Sequence, residues 1–301
     1  MSEKRRRIIS NIGKYSFIGI TGFVLIVYAL SLTIPVIWGL NAATMSELSY
    51  FEDPFSTSGE RSFDNFSNVF SKLQVTIQIA GEPKKLYDLS SMLTYTLALA
   101  LGKPTLGIFF TTAMAYCLSR FRFRGSKFLY NFGIFLMIMP IYGTFGASMT
   151  INKALGVYNN LVLNILTSPV GCFSGMNFLM LYGAFKRIPR EYSEAARIDG
   201  ANDFVIYYKV MFPLVFSTVF VFWMLSFFGS WNDYGTSLYW LPSYPTVAYG
   251  MWIFQDQVAM YGSSTPEILA GFMMTSIPLA LFVFFGQNLI TEKMQVGGLK
   301  G

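Results

Sequence analysis

The chain contains no histidine and only two cysteines, and just 13% of its 301 residues are charged. The missing imidazole excludes Ser-His-Asp triads, HExxH zinc sites and histidine-ligated haem together. Cys117 and Cys172 lie far apart inside apolar runs, which excludes a CxxC metal knuckle or a disulfide framework. An average soluble domain is about 25% charged, so a surface this poor in charge is built for a solvent other than water. Hydrophobic residues make up 53% of the chain and aromatics 18%, with a mean hydropathy of +0.46. A soluble enzyme is excluded on these grounds.

The apolar residues gather into six runs that predict membrane-spanning helices: Ser16–Leu40, Met92–Leu118, Phe128–Met149, Asn160–Phe185, Val210–Gly229 and Ile268–Ile290. Each has about 20 residues or more, enough to cross ~30 Å of hydrocarbon at 1.5 Å per residue. Lipid offers backbone groups no partner, so a helix is the economical form for such runs. The first run follows Lys4-Arg5-Arg6-Arg7 and precedes Asn41-Ala42-Ala43, which together resemble a secretion signal. Its apolar part is far longer than the 7–15 residues of such a signal, and a retained span is expected.

Sixteen of the 22 Lys and Arg residues fall on one side of these spans: before the first, between the second and third, between the fourth and fifth, and after the sixth. The positive-inside rule makes that side cytoplasmic and places both termini there. The net charge of +6 is therefore a topology signal, and no nucleic-acid partner is expected. Three regions follow: residues 1–40 as N-terminus and first span, 41–91 as an extracytoplasmic loop, and 92–301 as the membrane core. The 41–91 loop is long enough to be a folded cap or docking surface, or a solvated connector. Asn65-Phe66-Ser67 within it matches a glycosylation sequon, a pattern too short to carry weight.

Hydropathy falls between the fourth and fifth spans, where residues 188–203 predict a helix, a turn and a second helix. Pro189 suits a first helical position, and Glu191 and Glu194 stand near the positive end of the helix dipole. Tyr192, Ala195, Ala196 and Ile198 form a modest apolar face. Gly200 is placed to end the helix in a left-handed conformation. Asn202 is a good cap for the next helix, which Pro213 is expected to interrupt. An interfacial membrane helix is the plain alternative. The small alanines favour close docking in a protein groove instead.

Glu194-Ala195-Ala196, Gly200, Val210 and Phe212-Pro213 together resemble the EAA–G–I–LP signature of permease subunits of ABC importers, with Val for Ile and Phe for Leu. Residues 187–201 are similar to the carbohydrate branch of that family, the maltose-type second permease. So are Ala115-Tyr116, Ser119–Phe123, Pro140, Gly229–Tyr234 and the terminal Gly297-Gly298-Leu299-Lys300-Gly301.

The resemblance implies an all-α, six-span type I importer permease fold in a bacterial inner membrane, with residues 188–203 as the coupling helix. It assigns Glu194, Ala195, Ala196, Asp199 and Gly200 to contact with a cytoplasmic ABC ATPase present in two copies. It further implies a second permease subunit, an extracytoplasmic solute-binding protein and a sugar or oligosaccharide cargo. The tail 297–301 is expected to reach the ATPases. No cofactor is expected in this chain, because Gly13-Lys14-Tyr15 and Gly102-Lys103-Pro104 lack the rest of a GxxxxGK[ST] loop. ATP and Mg belong to the partner ATPase.

For the substrate path, Phe220, Trp223, Phe227, Trp231 and Asn232 on the fifth span and Asn177 on the fourth are the candidates, with helix packing as the plain alternative. Lys103 is costly in lipid and should face a cavity or a partner, or reach toward a polar neighbour. Pro104 beside it makes a helix break possible. Pro140, Pro169 and Pro278 are hinge candidates, with static kinks as the alternative. A permease for another solute is the nearest alternative function. A polytopic membrane transferase is the remote one, because Asp233, Asp256 and Glu267 are dispersed and no His accompanies them.

Gly200 gives the first test. Replacing it with Leu should leave membrane insertion intact while lowering the yield of ATPase that co-purifies with the chain. Unchanged ATPase recovery would remove the hairpin from the coupling role.

Overall fold

The structure, a computed structural model, describes residues 3–79, 81, 83–139, 143–256 and 264–294. It is mostly helical and divides into two compact units. Among the described residues, four helices are long and apolar enough to cross a membrane. Pro140 and the tail 297–301 lie outside the described residues.

The first unit holds α1 (Glu3–Ala43), α2 (Glu47–Glu52), α3 (Asp64–Lys72) and the start of α12 (Thr265–Met294). From residue 14 to 37, α1 is apolar all round and exposed almost throughout. A helix of this kind is stable only where lipid or another subunit covers it. The segment after it is folded, with a small core. Arg61 gathers the chain there, donating to the Asn41 carbonyl and side-chain oxygens, the Thr44 hydroxyl and the Thr57 carbonyl at 2.6–3.1 Å. Asn65 is buried, and its amide donates to the carbonyls of Ala43 and Met45, each at 2.9 Å. This sequon asparagine has its amide nitrogen fully engaged inside the fold. Glu267 is buried as well and receives Lys72 at 2.8 Å and Asn68 at 2.7 Å, which ties α3 to the first turn of α12.

The second unit begins with an antiparallel pair, β1 (Val75–Ile77) and β2 (Lys85–Tyr87), in which Val75 faces Tyr87. Then comes α4 (Leu89–Arg120), capped by Asp88, whose carboxylate accepts the Ser91 N–H and hydroxyl and the Ser90 hydroxyl. Pro104 does not break α4, which runs through it unbroken.

The third and fourth expected spans are each divided. α5 (Ser126–Ile138) and α6 (Thr144–Ala154) replace the third, and α7 (Leu161–Leu166) and α8 (Met176–Arg187) the fourth. Gly143, Gly171 and Gly175, at φ +77°, +85° and +89°, lie in these breaks, in backbone that glycine adopts readily. Pro169 therefore sits in a turn and not within a helix. Apolar character alone identified these runs and could not register the glycine turns inside them.

After α9 (Glu191–Ile198) comes α10 (Asp203–Trp231), continuous through Pro213 because residues Ile206–Met211 are wound as a π helix. The wider winding accommodates the missing proline donor where an interruption was expected. A second π turn (Thr236–Trp240) and α11 (Val247–Asp256) complete the unit together with the end of α12. Its core is the α4–α8–α10 packing, built on Phe178, Leu181, Phe185, Met211 and Val215.

Two measurements check these contacts. Asn65→Leu removes two buried bonds and orphans two carbonyls, so thermal unfolding should report a loss of about 1–3 kcal/mol. The Ser91 and Ser90 hydroxyls, followed by the Ser91 N–H, hold the Asp88 carboxyl at about 2 against an ordinary 3.8. A depressed acid stabilises the fold above its unfolded pKa and loses that contribution as pH falls, here from about pH 4 toward pH 2. The advantage of wild type over Asp88→Ala in unfolding midpoint should therefore shrink across that window.

Candidate functional site: the helical hairpin and the polar cavities

The hairpin has the expected form. α9 ends at Gly200, whose φ of +82° is the left-handed turn, and the Ala201 N–H closes it on the Ala196 carbonyl at 2.9 Å. Asn202 caps α10 by accepting the Val205 N–H at 2.9 Å. Arg197 bridges the turn to Asp203 at 2.7 Å, and this hydrogen bond holds the guanidinium more firmly protonated. Two rigid connections fix the hairpin to the membrane core. Arg120, at the end of α4, donates to the Ile188 carbonyl at 2.6 Å. Ala196 packs onto the α4–α8–α10 core, a cluster that includes Tyr116.

Glu194, Ala195, Asp199 and Gly200 are exposed, whereas Ala196 is half-buried beneath them. Large apolar side chains flank this patch without cover in the chain: Ile198 is 86% exposed and Phe204 75%. A pocket of about 110 Å³ opens between Glu194, Arg190, Arg197 and Arg120. An exposed carboxylate thus stands among small and bare apolar side chains.

Within the second unit, α4, the 167–175 turn and α10 enclose a cavity of about 380 Å³, reached by Asn177, Ser174, Ser226, Ser230 and Lys103. A second cavity of about 580 Å³ lies between α4, α6, α7 and the second π turn, with Ser148, Asn152, Asn164 and Trp240 on its walls. Lys103, Ser168 and Val170 border both. Lys103 donates to the Thr236 hydroxyl at 3.1 Å, and Thr236 in turn bonds the Asp233 carboxylate. The expectation that Lys103 faces a cavity and a polar neighbour describes what is found.

Of the path candidates, Asn177 lines the first cavity, whereas the aromatic stripe lines neither. Phe220, Trp223 and Phe227 stack along α10 at 5.6–6.1 Å, and Phe282 of α12 closes on Phe227 at 4.8 Å. Phe227 and Trp231 are each 4% exposed and pack with Ala100 of α4. Trp223 donates to the Thr105 hydroxyl at 3.0 Å, and the Asn232 amide donates to the Phe228 carbonyl. The stripe is helix packing in this conformation. Ser226 and Ser230, spaced four apart on α10, carry the polar side of the same helix, and that spacing was available in the sequence.

A largely helical protein with four helices apolar and long enough to cross a membrane among the described residues, an exposed hairpin and polar cavities has the elements of the membrane part of a transporter. Residues 104–296 match the model of the binding-protein-dependent transport system inner membrane component, and the chain belongs to that family. It is the permease component of an ABC importer and contains no GxxxxGK[ST] loop of its own. The maltodextrin transport system permease protein MdxG of Bacillus subtilis is 25% identical over the full length of both chains. The diacetylchitobiose uptake system permease protein NgcG of Streptomyces coelicolor is 25% identical over 93% of this chain and 88% of its own. In fold, the chain resembles a subunit of a bacterial ABC transporter that imports the acidic polysaccharide alginate. The TM-score is 0.69 at 21% identity, covering 97% of this chain and 99% of the other.

Truncating Glu194 to Ala should remove a charge-assisted contact of about 1.5–3 kcal/mol. Titration of the purified membrane subunits with ATPase should then show at least about tenfold weaker association.

Proposed function

We propose that this chain forms half of the membrane pathway of a sugar importer, with both termini in the cytoplasm. A second permease forms the other half. Two ABC ATPases, which bind ATP and Mg, seat on the hairpin and its partner counterpart, and an extracytoplasmic binding protein delivers a sugar or oligosaccharide. The observation that carries this reading is the Glu194-Ala195-Ala196…Gly200 hairpin, exposed at Glu194, Ala195 and Gly200 and packed through the half-buried Ala196 onto the core that α4 and α10 share. Glu194 pairs with a base on the ATPase, Ala195 and Ala196 permit close approach, Asp199 borders the contact and Gly200 makes the turn.

Closure of the ATPases around nucleotide pulls the hairpin, and the pull reaches the membrane through Arg120 and the Ala196 contact. Moving a two-state pathway from 1:99 to 99:1 takes ~5.5 kcal/mol of differential binding, within what nucleotide at a closing interface supplies. The relatives that transport maltodextrin and diacetylchitobiose support a carbohydrate cargo, as do cavities bordered by Ser, Asn and Lys side chains.

The test is reconstitution of the four-component complex in liposomes with its binding protein. Maltotetraose, diacetylchitobiose, an arabinotriose and a galactotriose are supplied in turn. One of them should stimulate ATP hydrolysis several-fold and accumulate inside. Stimulation by a non-sugar solute, with none by these sugars, would replace the cargo while leaving the importer reading in place.

A further inference from the structure

Two cavities of opposite chemistry share a wall where the hairpin meets the membrane helices. One is the pocket of about 110 Å³ bordered by Arg120, Arg190, Arg197 and Glu194. The other is an apolar groove of about 310 Å³ between the last turns of α4 and the start of α10. Phe109, Ala113 and Cys117, spaced four apart, give it one face of α4, with Phe121 just past the helix end. Phe204 and Tyr207 border it from α10. Tyr116 and Phe121 line both cavities, with their rings 5.6 Å apart. Both helices belong to segments apolar and long enough to cross a membrane, and Phe109 is 54% exposed. From residue 109 to 121 the chain rises about 18 Å, close to one leaflet of a ~30 Å hydrocarbon layer. The polar pocket lies at the end of that rise. Its three guanidiniums face one carboxylate, Glu194. Arg197 is paired with Asp203 on the groove's rim. Arg190 is exposed and makes no ion pair among the described residues, and Arg120 donates to the Ile188 carbonyl through one of its nitrogens. A guanidinium has five donors in a planar fork that matches a phosphate. The pocket is well below the ~300–1,000 Å³ of ordinary ligand sites, whereas the groove reaches that range.

We propose that this junction holds an anionic phospholipid, with its phosphate between Arg120 and Arg190 and one acyl chain in the apolar groove. The inference takes from the importer reading only the cytoplasmic placement of the hairpin, which puts the site in the inner leaflet. Charge complementarity selects the headgroup. A zwitterionic lipid brings an ammonium toward three guanidiniums, with Glu194 as the single acid on that wall to receive it. An anionic headgroup meets the same wall without that repulsion, and arginines near an anionic leaflet are attracted to it. The groove selects a lipid over a free anion, because a phosphate alone leaves Phe109, Phe121 and Phe204 bare. A phosphate held between Arg120 and Arg190 also ties the end of α4 to the residue just before α9. It stands beside the Arg120 bond to Ile188 as a second link into the hairpin, one supplied by the membrane.

The experiment places the assembled complex in nanodiscs containing phosphatidylglycerol with a photoreactive diazirine on its acyl chain. After irradiation, mass spectrometry should find the crosslinks of this chain within residues 109–121 and 204–207. Unlabelled phosphatidylglycerol should compete them away, and phosphatidylcholine and phosphatidylethanolamine should compete about tenfold less well. Arg190→Gln should lower the yield about fivefold, the worth of one arginine at an anionic surface, while Arg190→Lys keeps most of it. Ala113→Leu, which fills the groove and leaves the arginines in place, should lower the yield as well. Crosslinks confined to other residues or to the other subunits refute the site. Equal competition by the zwitterionic lipids overturns the anionic assignment. Competition by inorganic phosphate as strong as by the lipid assigns the pocket to a free anion and overturns the lipid. Sugar-stimulated ATP hydrolysis on the same discs reports the importer reading separately. Its persistence alongside any of these refuting results removes the lipid site alone, and its loss with the crosslinks intact leaves the lipid site standing.

Discussion

The guanidinium of Arg120, donating to the Ile188 carbonyl, is the joint on which the working geometry depends. It fastens the last turn of a 32-residue membrane helix to the residues that lead into a short exposed one. Without such a joint, an eight-residue helix is too short to hold its own shape in water, and force applied to it would unwind it. Ala196 against the α4–α8–α10 core and the Arg197–Asp203 bridge across the turn make the connection stiff on both sides.

That hairpin was the most legible part of the sequence because its signals are local. Gly200, Asn202 and the run of alanines each fix a backbone conformation within a few residues of themselves, and each adopts the conformation expected. The long spans α1, α4, α10 and α12 were legible for the same reason, since hydropathy is a property of a window. The divided third and fourth spans were not. Hydropathy cannot distinguish a continuous helix from two half-length helices joined by a left-handed glycine, because both are apolar. Pro104 and Pro213 misled in the opposite sense: each looked like a break, yet surrounding packing and a π-helical winding absorb it.

The aromatic stripe of α10 shows why a face cannot be assigned from one helix alone. Phe220, Trp223, Phe227 and Trp231 share a side, and that side was open to either a lumen or a neighbour until Phe282 and Ala100 were seen against it. The polar side of the same helix, with Ser226 and Ser230, faces the cavity that Lys103 enters. A cation inside a membrane segment is tolerated where water or polar partners reach it. Its position therefore marks the polar cavities, which the aromatic stripe does not line.

The burial of Asn65 has a practical corollary. In the native chain its amide nitrogen is already bonded to the Ala43 and Met45 carbonyls, out of reach of any attaching enzyme. Routed through a eukaryotic secretory pathway, the molecule would accept an oligosaccharide at this asparagine only while the surrounding segment is still open. Glycan occupancy at that position would then count the molecules that lingered unfolded, giving a covalent record of maturation that a gel shift can read.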